Sequence, residues 1–299
     1  MTALQDRTEL LRISALFTTP GDALAGAAAS GLRPGSRTLP AAGATVCLYG
    51  AGTAPDDWAD RAEDAVERPR RPIPSGRITP GQAPAAATGL TTAGIGLALA
   101  AGRPAALTAT ALAGAVWAYD LRLKHTPAAA ATATARGLDL LLGAVATAGS
   151  PAAAGRPGPA ARRAVLPAAA LSAHAHSVTA VSRTETRGGA PGTAPAAPGA
   201  AAAIGVLTGR GRGCPARTLR ARTRAALAGV YAATAAGPCL HPALNPSPPV
   251  TQRAVGGGIR AIVPLQAVLT ARSGPLGAAA LSTALAPVTR RPARKVSPA

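Results

Sequence analysis

Apolar blocks recur along the whole chain, separated by stretches rich in Pro, Gly and Arg. They fall at 9–31, 38–54, 85–101, 104–120, 128–149, 164–182, 194–209, 220–240 and 255–272, with a further block at 274–289. A helix in a water-soluble bundle needs a polar stripe, yet ATGLTTAGIGLALAAG and LTATALAGAVWAY carry almost none. The pattern predicts helices surrounded by apolar matter on all sides. Several blocks are shorter than the ~20 residues that cross a bilayer, but their Ala and Gly let helix backbones pack closely. The expected fold is all-α, a polytopic transmembrane helical bundle of about nine helices. Residues 8–290 read as one membrane domain and 291–299 as a basic tail.

The polar breaks are unequal. Residues 55–84, 183–199 and 241–253 read as long links, and alternating helices place all three on one side with the short link YDLRLKHTP. Long links gathered on one face often carry chemistry. Arg61, Arg68, Arg70, Arg71 and Arg77 place the first link in the cytoplasm by the positive-inside rule. The basic stretches 210–224 and TRRPARKVSPA fall on the other side and oppose a single clean orientation. The N-terminal LFTTPGDALAGAAA, preceded by Arg12, is interrupted by Pro20 and Asp22, so it reads as a retained first helix rather than a cleaved signal.

Composition sharpens this picture. Charged residues make up 14% of the chain, against about 25% in soluble domains, and the mean hydropathy is +0.21. With one Phe, two Trp and three Tyr, aromatic belts at the membrane interfaces are nearly absent. The net charge of +19 would suit nucleic acid, but the arginines are dispersed and stacking aromatics are missing. Anionic lipid headgroups are the better partner, and a multi-pass protein of the cell membrane is expected. Cys47, Cys214 and Cys239 lie far apart without metal-type spacing and read as apolar fillers.

Against 31 Lys and Arg the chain has 12 Asp and Glu, so the cluster DDWADRAED stands out. Asp57, Asp60 and Asp64 are spaced three and then four apart and share a helix face. Such a stripe suits a divalent ion that also holds phosphate oxygens; a solvated amphipathic helix, with Glu63 and Glu67 near Arg61 and Arg71, is the alternative. Tyr119, Asp120, Arg122 and Lys124 close another apolar block, either meeting a phosphate or snorkelling at a helix end. Asp22 and Asp139 lie inside apolar blocks, where an ionisable group faces a polar cavity or pairs internally; Arg136, one turn before Asp139, is its expected partner. His174 and His176, two apart, point to different faces and make a poor metal pair. No nucleophile elbow supports a hydrolase, and VGGGIR lacks the spacing of a dinucleotide fingerprint.

These residues carry a family resemblance. GTAPDDWADRAEDAVERPRRPIPSGRI resembles the first aspartate-rich motif of the UbiA-type intramembrane prenyltransferases, N-D-x-x-D-x-x-x-D followed by an R-P-x-R-P-I-P-S-G-R-like run. Asp57, Asp60 and Asp64 match its aspartates, and Asp56 replaces its Asn. WAYDLRLKHTP resembles the family's Tyr-x-x-x-Leu-Lys element. The resemblance implies Mg²⁺-dependent transfer of an isoprenyl group from a polyprenyl diphosphate to a small lipid-accessible acceptor, often aromatic. It implies Asp57, Asp60 and Asp64 as metal ligands and catalytic residues, and the residues themselves agree, with Arg71, Arg77 and Lys124 placed to complement the remaining charge of the diphosphate. The family's second motif, D-x-x-x-D, is replaced by VSRTETRGG, in which Glu185 is flanked by Arg183 and Arg187. Either one Mg²⁺ is retained and these arginines bind diphosphate directly, or the ordinary reaction is lost. A non-catalytic isoprenoid-binding or transport protein is the alternative function.

Overall fold

The computed structural model describes residues 18–123, 130–150, 157–183, 193–210, 218–244, 247–273, 277 and 279–280. Within them the chain forms α1 (Thr19–Ala29), α2 (Thr38–Ala59), α3 (Arg61–Glu67), α4 (Gln82–Ala101) and α5 (Arg103–Ala118). A π-helical turn, Tyr119–Leu123, prolongs α5. Then follow α6 (Ala130–Ala148), α7 (Pro157–Arg163), α8 (Val165–Ser182), α9 (Thr193–Gly209), α10 (Leu219–Leu244) and α11 (Pro248–Ser273). No strand occurs among the described residues, and the long helices coincide with the apolar blocks. The 274–289 block falls almost wholly outside the described residues, as do residues 1–17 and the basic tail.

Two expected links are shorter than the polar pattern suggests. α2 runs through Pro55 to Ala59, carrying Asp56 and Asp57 on a helix instead of in a link. A proline removes one backbone donor and need not end a helix whose neighbours hold it. Likewise α10 extends to Leu244 and α11 starts at Pro248, so residues 241–253 are mostly helical. Pro248 and Pro249 occupy a first turn, where the missing N–H would lack an intrahelical partner anyway.

Helix α6 is the hub, packing against α1, α2, α5 and α8. One side of the core gathers Leu140, Leu171, Ile204, Tyr231, Leu265 and Val268 from α6 and α8–α11. The other gathers Leu48, Ala98, Leu112 and Leu142 from α2, α4, α5 and α6. A third cluster seats the 68–81 loop, with Ile73 and Ile78 against Ala54, Ala83, Ala87, Trp58 and Trp117. Buried polar groups are bonded across helices: His174 joins the Tyr231 hydroxyl (3.1 Å) and the Gly258 carbonyl (3.0 Å). The carbonyl can only accept, so His174 Nε2 carries the proton and Nδ1 accepts from Tyr231.

Three helical stretches, Gln82–Ala101, Gly158–Ser182 and Pro248–Ser273, are long and apolar enough to cross a membrane by length and composition. α4 has no charged residue, yet only 22% of its apolar window is buried inside the bundle. Leu97 and Leu99 point outward from it, as do Leu107, Val206 and Leu207 from their own helices. Apolar surface on this scale is stable against lipid rather than water.

Candidate active site

A cavity of about 530 Å³ opens between α2, α5, the π-helical turn and α6. Asp56, Asp60, Arg68, Arg71, Tyr119, Asp120, Arg136 and Asp139 are among its lining residues. Leu48, Leu112, Ala115, Val116 and Ala135 supply apolar wall. π-helical turns are rare and often mark functional sites. Here the turn buries Asp120, near the small Gly52 of α2.

The acidic stripe divides. Asp57 and Asp64 are buried and do not line the cavity; Arg71 Nη1 donates to Asp57 Oδ1 at 3.0 Å and to Asp64 Oδ2 at 2.7 Å. Asp60 lines the cavity with Asp56 instead. Helical angles explain the split. A seven-residue step returns within about 20° of its start, whereas Asp60 stands about 60° away from Asp57, at four-residue spacing from Asp56. The break between α2 and α3 at Asp60 loosens the shared face further.

The other expected residues are dispersed. Arg71 lines the cavity, and Arg68 joins it with a 3.8 Å contact to Asp64. Arg77 is tied into its own loop, donating to Ser75 Oγ at 3.0 Å and to the Arg70 carbonyl at 2.6 Å. Arg183 is exposed at the end of α8, beside Ser182, which does line the cavity. Lys124, Glu185 and Arg187 lie outside the described residues. Arg136 pairs with Asp22 of α1 at 2.8 Å, not with Asp139 as its spacing suggests.

Among the described residues no group of three or more His, Cys, Asp or Glu converges to hold a metal. That donor set still fits Mg²⁺, which is commonly bound through one or two carboxylates plus substrate phosphates and waters instead of an all-protein cage. Asp56 and Asp60, one turn apart on the cavity wall, supply such a pair of hard oxygen ligands.

A model of the UbiA prenyltransferase family matches residues 14–240. The chain belongs to that family. Two curated relatives are digeranylgeranylglyceryl phosphate synthases. That of Methanopyrus kandleri is 37% identical over 115 residues, which are 38% of this chain and 41% of the relative. That of Methanospirillum hungatei is 40% identical over 82 residues, 27% and 29% of the two chains. The matched stretches thus span less than half of either relative. The apo structure of a UbiA homologue from Aeropyrum pernix has a TM-score of 0.60 at 20% identity, covering 82% of this chain and 96% of that one. A UbiA homologue from Archaeoglobus fulgidus, bound to GPP and Mg²⁺, has a TM-score of 0.57 at 13% identity, covering 95% and 99%. These likenesses establish a shared UbiA fold.

Proposed function

We propose that the protein transfers an isoprenyl group from a polyprenyl diphosphate to a small membrane-accessible acceptor, within the cell membrane and with Mg²⁺. One observation carries the reading: a single cavity joins a carboxylate and arginine pole to an apolar wall. The polar part fits a diphosphate and its counter-ion, and the apolar part fits an isoprenoid. The GPP and Mg²⁺ bound by the Archaeoglobus homologue support both assignments. The names of the two curated relatives favour a glyceryl phosphate acceptor over an aromatic one.

In this reading Asp56 and Asp60 hold the metal. Asp57 and Asp64 act through Arg71, fixing its guanidinium at the cavity wall so that it and Arg68 meet diphosphate oxygens. Lys124, Arg183 and Arg187 complete the phosphate contacts, and Arg77 braces the loop that carries Arg71. Mg²⁺, when bound, offsets charge on the departing diphosphate. Leu48, Leu112 and Val116 exclude water from the allylic carbon, which would otherwise be hydrolysed.

Product analysis by mass spectrometry tests this, using purified protein in lipid nanodiscs with Mg²⁺, a panel of prenyl diphosphates and a panel of membrane acceptors. A prenylated acceptor is expected. An Asp56→Ala, Asp60→Ala variant that keeps full activity sinks the assignment. The replaced second acidic motif favours a second reading, a non-catalytic isoprenoid carrier; that protein would release no diphosphate.

A further inference from the structure

The cavity wall contributed by α6 holds a buried charge cluster that diphosphate binding leaves unused. Arg136 Nη1 lies 2.8 Å from Asp22 Oδ2. Gln266 Nε2 donates to Asp22 Oδ1 at 2.7 Å and to the Thr18 carbonyl at 2.8 Å. Gln266 of α11 thus holds Asp22 of α1, and Asp22 holds one terminal nitrogen of Arg136 on α6, whose Nη2 has no hydrogen bond among the described residues. Asp139, one turn along α6, lines the same cavity and is 5% exposed, and its Oδ1 accepts no hydrogen bond from any described residue. Two carboxylates thus accompany a single arginine, and that arginine is engaged by Asp22.

Transfer to a hydroxyl releases a proton, which in an apolar cavity needs a nearby acceptor. The described lining contains no His, Lys or Cys. Its carboxylates are Asp56, Asp60, Asp120 and Asp139. Asp56 and Asp60 belong to the metal pole; Asp120 Oδ2 is likewise buried without a hydrogen bond, but Asp120 has a further interaction within the protein and stands on the π-helical turn rather than on α6. Asp139 has a buried carboxylate oxygen without a hydrogen bond.

Resting on the transferase reading, we propose that Asp139 accepts the proton of a hydroxyl-bearing acceptor, an alcohol or a phenol, whose apolar remainder lies against Leu112 and Val116. The acceptor oxygen bonds to C1 of the isoprenyl group. The bond from C1 to the diphosphate oxygen breaks, and its electron pair leaves with diphosphate. The hydroxyl proton passes to the Asp139 carboxylate. Asp22 and Gln266 are positioning residues: they turn Arg136 toward α1, so that it does not form a direct ion pair with Asp139.

Asp139→Asn keeps the shape and removes the base. In nanodiscs, with Mg²⁺, geranyl diphosphate and the alcohol or phenol that the wild type prenylates best, kcat is expected to fall about 10²–10⁴-fold. KM for geranyl diphosphate stays unchanged, because binding of the diphosphate does not involve the acceptor proton. Asp139→Glu recovers part of kcat, and formate added to Asp139→Ala recovers part as well. An Asn variant with wild-type transfer overturns the role, as does a folded Asn variant whose loss of transfer comes with a raised KM for geranyl diphosphate. If the Asn variant does not fold, the Ala variant with formate decides, and absence of rescue overturns the role. A wild type that prenylates nothing removes the transferase reading and this role with it, whereas an active wild type beside an active Asn variant removes the role alone.

Discussion

Arg71 Nη1 stands 2.7 Å from Asp64 Oδ2 and also meets Asp57 Oδ1, so one guanidinium clamps the end of α2 to α3. The carboxylates are 7% and 4% exposed and Arg71 is 23% exposed, so water screens the cluster only in part. Removing the arginine leaves two buried charges without their shared partner. Arg71→Met is expected to cost about 3 kcal/mol, the low end for a broken buried pair, and to lower the melting temperature in detergent. Arg71→Lys should recover part of that loss, since a single ammonium can still lie between the two oxygens.

The division of the acidic stripe gives opposite signatures for neighbouring aspartates. Asp60→Asn is expected to lower transfer about 10²–10³-fold, the scale for losing a group that stabilises developing charge, with little change in melting temperature. Asp64→Asn should lower the melting temperature and reduce activity mainly through a higher KM for the diphosphate, because Arg71 loses a support. Measuring kcat, KM and melting for both variants decides the matter. The reverse pattern would place the metal between Asp57 and Asp64.

Chelation offers an independent check. EDTA is expected to abolish transfer, and added Mg²⁺ to restore it. Asp56→Asn should raise the Mg²⁺ concentration needed for half-maximal rate, because one of two ligating carboxylates is weakened. Titrating the metal in both proteins measures this directly, and an unchanged requirement would remove Asp56 from the ligand set.

The helices were legible because lipid-facing and core-facing residues are both apolar, leaving long uninterrupted blocks between the Pro, Gly and Arg breaks. Pro55 and the Pro248–Pro249 pair misled, since proline forbids one hydrogen bond and not a helix. Within the site, the cluster at 56–64 was visible, but the side each carboxylate faces was not. That depends on the break at Asp60 and on Arg71 returning from the following loop, a tertiary contact without a local signal. Asp56 carried a signal in its four-residue spacing to Asp60. The pairing of Arg136 with Asp22 lay beyond reach, because the nearer Asp139 was the natural candidate and the true partner is 114 residues away in sequence.

Close approach of α1 to α6 sets that pairing. A Cβ on Gly26 would collide with the Leu140 carbonyl oxygen and lie 3.0 Å from Ala144 N, and one on Gly143 would collide with the carbonyl of Ala23. Asp22 precedes Gly26 by four residues and Arg136 precedes Leu140 by four, so the helix contact and the ion pair share one turn of each helix. Gly26→Val must therefore push the helices apart and loosen the ion pair with them. Overpacking alone costs about 1–3 kcal/mol, and the loss should be larger here. Part of it should vanish in an Asp22→Asn, Arg136→Gln background, where no charge pair is left to break, giving clear non-additivity in a mutant cycle. Gly229→Ala on α10, where nothing lies within 4 Å of the new methyl, is the control. It should stabilise by up to about 1 kcal/mol through helix propensity. Equal losses from Gly26→Val in both backgrounds would show that the glycine contact and the Asp22–Arg136 pair are independent.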